Sequence, residues 1–222
     1  MKLLGTIFLL ALLGAGAARA QSSDLSCSNG SFPAERAIGL ARVGGGDRLV
    51  FLKDSDGCPN AQSSCLQRAY VVGDDQLLTG RTYGAYVCAF YPSPGGGSAG
   101  WVPSARLSAL PVDASPPLAA WTGHWVNIDD TIDLKVKGAA LVADGSAYWP
   151  SARPPASQFP GGPNVGDLSG SATPKGNVVV FTDNDPNGCT ATATLVGALL
   201  VVADNGGCGG QNVSFSAVYK RK

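Results

Sequence analysis

Six cysteines lie unevenly around a proline-rich stretch, and that division constrains the fold more than any other feature. Cys27, Cys58, Cys65 and Cys88 precede the segment 111–118 (PVDASPPL), and Cys189 and Cys208 follow it. An even cysteine count in an exported chain points to a disulfide framework. Export is expected from residues 1–20, which read as a signal peptide. Lys2 gives a basic start, residues 7–13 a short apolar run, and Ala18-Arg19-Ala20 a small-residue cleavage site before Gln21. That run is too short to cross a bilayer, and no later stretch is long and apolar enough for a membrane helix. The mature protein is expected to be periplasmic or secreted, with no membrane span.

Three prolines in 111–118 remove backbone donors and stiffen the segment, so it reads as a linker between two modules, 27–110 and 119–222. Each side then closes its own bridges, expected as Cys27–Cys88, Cys58–Cys65 and Cys189–Cys208. Cys58 and Cys65 are also placed where each could reach a distant strand instead. No cysteine pair has C-x-x-C spacing and His124 is the only histidine, which argues against a zinc site.

The local chemistry favours strands and turns. The chain has 30 glycines and 15 prolines, and every acidic residue except Glu35 is an aspartate, a turn and cap former rather than a helix former. No helical period follows residue 20. With Lys2 and Arg19 set aside, 14 basic residues stand against 16 acidic ones, a net charge of −2. No basic stripe suggests a nucleic-acid partner. The fold class expected is all-β, with two small modules.

In the first module, strand-like runs cover 37–42, 48–53, 69–72, 76–78 and 85–91. The order Gly73-Asp74-Asp75-Gln76-Leu77-Leu78, then Tyr86-Val87-Cys88-Ala89-Phe90-Tyr91, then Gly100-Trp101-Val102-Pro103 resembles the second half of bacterial SH3-like domains. The resemblance covers about 48–110 and departs from the pattern in the Cys58–Cys65 insertion. It implies a five-stranded barrel closed by a turn carrying the Gly-Trp pair. Many such domains bind cell-wall peptidoglycan or peptides. Trp101 is then either a buried plug or a ligand-contacting ring, with Tyr83, Tyr86 and Tyr91 as its aromatic neighbours.

The second module reads as eight or nine short strands in about 100 residues, hence a small antiparallel barrel of about eight strands. Asp144-Gly145 and Gly197-Ala198 are the hairpin signals. The second of these places Cys189 opposite residue 206, within reach of Cys208. The resulting loop contributes about 3 kcal/mol in the chain-entropy model. Gly123-His124-Trp125 resembles the G-x-W opening of lipocalin-like barrels, which implies a basic residue from the last strand over the tryptophan, here Lys220 or Arg221. Small disulfide-bonded periplasmic barrels of similar opening include inhibitors of lysozymes and of secreted metalloproteases. By period two, Trp121, Gly123 and Trp125 share the inner face, and His124 points to solvent.

Gly96-Gly97-Ser98-Ala99-Gly100 spells the hydrolase signature G-x-S-x-G, but a nucleophile elbow needs a strand before the serine and a helix after it. Here a Pro/Gly turn and Trp-Val-Pro flank it, and no catalysis is expected. Asp183, Asp185 and Asn187 form the front half of a calcium loop, lacking the bidentate glutamate at its twelfth position and the flanking helices. Calcium is the one cofactor that this string allows. Asp129, Asp130 and Asp133 cluster as a carboxylate group that would need one buried member to act as an acid. The segment 150–163 holds five prolines and cannot pair as a central strand. Arg153 and Phe159 within it are candidate contact residues. These features give an exported, non-catalytic binding protein for a cell-wall glycan or peptide. The alternatives are an inhibitor acting on another exported protein and a small-molecule carrier.

Overall fold

A computed structural model describes residues 26–55, 57–183 and 188–222, so the signal-peptide region lies outside the described residues. The fold is all-β, with two antiparallel sheets. The first contains β1 (Gly39–Val43), β2 (Leu49–Leu52), β3 (Leu66–Val71), β4 (Gln76–Tyr83), β5 (Tyr86–Tyr91), β6 (Ser98–Pro103) and β7 (Leu107–Leu110) in the order β3-β2-β6-β5-β4-β1-β7. The Gly-Trp pair is therefore not in a closing turn. It sits within β6, which pairs with β5 from Tyr86↔Pro103 to Tyr91↔Ser98.

The second sheet contains β8 (Gly123–Asn127), β9 (Asp130–Lys137), β10 (Ala140–Trp149), β11 (Asn164–Ala172), β12 (Val178–Thr182), β13 (Thr190–Val196), β14 (Leu199–Asp204) and β15 (Ala217–Arg221). Its order is β11-β10-β9-β8-β15-β14-β13-β12, and β11 and β12 approach each other so that the barrel is nearly closed. The turn at Gly197-Ala198 forms, with Val196 opposite Leu199. The turn expected at Asp144-Gly145 does not. Both residues lie inside β10 and pair on two sides, Gly145 with Ile132 and with Leu168. Gly145 answers a packing need, because a Cβ there would stand 2.8 Å from the Thr131 carbonyl and 3.1 Å from the Phe215 ring.

Three disulfides join Cys27–Cys88, Cys58–Cys65 and Cys189–Cys208, and none crosses the linker. The linker nevertheless does not keep the modules apart. Phe32, Phe90, Cys27 and Cys88 of the first module share one buried cluster with Val196, Val201 and Val218 of the second, and Val112 of the linker packs against it. The segment around Phe32 is wedged between the sheets, touching β5, β14 and β15. The two sheets are thus docked through a common core.

The nearly closed barrel of the second sheet is filled by side chains. Trp121, Trp125, Phe181, Phe215 and Tyr219 are all fully buried within it, so side chains take the interior that an eight-stranded barrel can otherwise leave to one small ligand. The Trp125 indole donates to the Trp121 carbonyl at 2.9 Å, and the Arg221 guanidinium lies 4.7 Å from its ring centroid. Arg221 is the cation expected over this tryptophan, whereas Lys220 turns away and donates to the Pro92 carbonyl of the first module.

Candidate functional site

The aromatic group expected on the first module is taken apart by the fold. Trp101 has no exposed surface, so its ring cannot contact a ligand, and that role is corrected to a core one. Strand β6 buries it from Ala99 through Val102, against Leu52 and Cys88. Tyr83 and Tyr86 pair at one end of the β4–β5 hairpin, with Tyr83 45% exposed and 6.1 Å from the Trp101 ring. Tyr91 ends β5 at the opposite edge, half-buried, five residues and roughly 17 Å along the strand from Tyr86. The three tyrosines do not form one surface.

The segment 150–163 is a built loop. Trp149 closes β10 and meets Phe159 edge-on, with centroids 5.7 Å apart and planes at 89°. The amides of Gln158 and Phe159 both donate to the Pro155 carbonyl, which makes a tight turn behind the ring. Two adjacent carboxylates hold the start of the loop. Asp130 accepts from the Tyr148 amide at 2.9 Å and Asp129 from the Ala152 amide at 3.0 Å. Trp149 is 38% exposed, and Arg153, four residues further on, is exposed as well. Phe159, half-buried, supports Trp149 rather than standing alone. Trp149 is the residue that the sequence reading missed. Its signal was an aromatic directly before the first proline of the loop.

Burial and the neighbouring Asp129 charge raise the Asp130 carboxyl to about 6, against the lowering effect of the Tyr148 amide. Asp129 and Asp130 thus serve as acceptors that fix the loop. Asp133 is engaged elsewhere, 3.0 Å from His124 Nδ1 on the outer face of the barrel. Ser98 of the G-x-S-x-G string lies in β6 opposite Tyr91, followed by strand rather than helix.

Of the candidate calcium ligands, Asp185 and Asn187 lie outside the described residues. Asp183 uses its carboxylate to accept the Cys189 amide at 2.8 Å, closing the loop between β12 and β13. Among the described residues no group of three His, Cys, Asp or Glu side chains is arranged to hold a metal ion.

A second feature separates the two sheets on the outside. Two adjoining openings of about 220 and 270 Å3 share Gly96, Asn127, Ile128 and Val218. Ile128 sits in the two-residue turn between β8 and β9 with φ of +52° and is 66% exposed. A β-branched residue in the left-handed region is strained. Nothing in the sequence signals it, because turns of this kind favour Gly or Asn.

No protein-family model, no curated protein and no solved structure matches this chain. The geometry has to carry the functional reading unaided.

Proposed function

We propose that this is an exported, non-catalytic binding protein whose contact surface is the loop 150–163, and that its partner is another exported protein. The observation that carries this reading is the exposed Trp149 at the end of β10, held edge-on by the half-buried Phe159 of a loop that is fixed in shape before any partner arrives. Pre-organised aromatic anchors lower the ordering cost of binding, and aromatic and arginine side chains dominate interface energetics. Arg153, exposed on the same loop, supplies the charged contact. The filled barrel interior counts against the carrier alternative.

The expected lead ligand, a cell-wall glycan, loses its main residue with the burial of Trp101. One observation keeps it as a second reading, the exposed Tyr83 beside Tyr86 at the end of the β4–β5 hairpin. The SH3-like resemblance draws support from the strand order β6-β5-β4-β1-β7, with a 3-10 turn at Ser104–Arg106 between β6 and β7. The β2–β3 pair, which carries the Cys58–Cys65 bridge, is added outside β6.

A pull-down with the mature chain tests the two readings side by side, using exported proteins and purified wall sacculi from the source organism. Retention of a protein that Trp149→Ala releases supports the loop reading. Retention on sacculi that Tyr83→Ala abolishes and Trp149→Ala does not would replace it with the glycan reading.

A further inference from the structure

We propose that the cleft between the two sheets binds the free C-terminal end of an extended peptide. The carboxylate sits at Lys220 and Lys222, and the last apolar side chain lies on Ile128 and Val218. The loop 150–163 takes no part in this site, so the two proposals can fail separately.

Charge is the first argument. Lys220, Arg221 and Lys222 all border the first opening, and no acidic side chain borders either one. Among the described residues none of the three is in an ion pair. Arg221 is committed to the Trp125 ring and the Ala120 carbonyl. Lys220 donates to the neutral Pro92 carbonyl, and among the described residues the Lys222 ammonium has no partner. A lysine ammonium can hold a carboxylate through charge-assisted hydrogen bonds.

The walls decide what carries the anion. Val126, Val218 and Ile128 give them an apolar part, to which Pro92 and Pro94 of the first module add. The Asn127 side chain, half-buried in the same cleft, makes no hydrogen bond among the described residues. Its amide offers one acceptor and two donors. A peptide unit next to a terminal carboxylate presents the complementary donor and acceptor, whereas a hydrocarbon tail presents neither. Capture of a C-terminal carboxylate is an established mode of peptide recognition.

Size and strain agree. The two adjoining openings, about 220 and 270 Å3, form one continuous cleft long enough for the end of an extended chain. Ile128 is held in a left-handed conformation that presents its side chain to both openings. Its Cδ1 reaches over Gly96, where a Cβ would stand 3.2 Å away. Strain of this kind persists where surrounding structure enforces it, and it concentrates at binding sites.

The test is calorimetric titration of the full mature chain with N-acetyl-Ala-Val and, in parallel, with the same dipeptide amidated at its C-terminus. The acid should bind, and the amide should bind at least about tenfold more weakly, with the difference shrinking as salt is raised. Lys222→Gln should weaken the acid by about tenfold and leave the amide unchanged, while Lys135→Gln on β9 should change neither. Asn127→Ala should weaken the dipeptide acid but not octanoate, which has the carboxylate and no peptide unit. Equal affinity for acid and amide would overturn the proposal. So would octanoate binding as tightly as the dipeptide, or no heat with either dipeptide at millimolar concentration.

Discussion

Trp149 and Phe159 are ten residues apart in sequence and stand ring edge to ring face, 5.7 Å between centroids. The contact joins the end of β10 to the far side of the proline loop and keeps an exposed indole in one orientation. Trp149→Ala should lower affinity for the loop's partner by tenfold or more, about 1.4 kcal/mol. It should cost the fold less than about 1.5 kcal/mol, because the lost pair is partly solvated. Denaturant melts and binding isotherms on the same preparation separate the two effects.

Trp125→Ala should destabilise the protein by about 3–5 kcal/mol, since it empties a fully buried ring site and strips Arg221 of its aromatic partner. His124→Ala, one residue away on the outer face, should cost no more than about 0.5 kcal/mol. Urea melts of both variants check this, and similar losses at the two positions would mean that the inner and outer faces of β8 are exchanged.

The shared core makes a prediction that two modules on a linker would not. Phe32 is fully buried between the sheets with its ring 5.3 Å from that of Phe90. Phe32→Ala should cost about 3–5 kcal/mol. It should lower the unfolding midpoint of both sheets together. Hydrogen exchange at β5 amides and at β14 amides should report one common transition, in the variant as in the parent chain.

Asp130 gives a pH signature. Its folded carboxyl is raised to about 6 from an ordinary 3.8, so between these values the folded state holds more protons than the unfolded one. This contribution to stability is fully present below pH 3.8 and is lost as pH rises through 6. Melts across pH 4 to 7 should show that fall, and Asp130→Asn, which still accepts the Tyr148 amide, should flatten it.

The disulfide framework and the inner face of β8 were legible because each rests on a local rule. The Pro segment separated the cysteines, and period two placed Trp121 and Trp125 together. The hairpin expected at Asp144-Gly145 failed because a turn dipeptide and a glycine chosen for close packing look the same in one dimension. Here the Phe215 ring and the Thr131 carbonyl, 70 residues away and 14 residues away, set the requirement. Trp101 was legible only as either a plug or a ligand-contacting ring, because its strand was hidden by the Gly run before it. The loop 150–163 was legible as unpaired from its prolines. Its support by Asp129 and Asp130 was not, because those contacts link the β8–β9 turn and the start of β9 to residues 23 and 18 positions later. The common core between the sheets left no trace in the sequence. Val196, Val201 and Val218 face the first module from strands whose opposite face fills the barrel, so they read as ordinary strand residues.

The most direct measurement replaces residues 151–162 with a short Gly/Ser turn and compares that chain with the parent for melting temperature and for partner retention from exported proteins. The account predicts that retention is lost while the melting temperature stays within a few degrees, because the loop adds no residue to the buried clusters. Undiminished retention by the replaced chain would contradict it and move the contact surface off the loop.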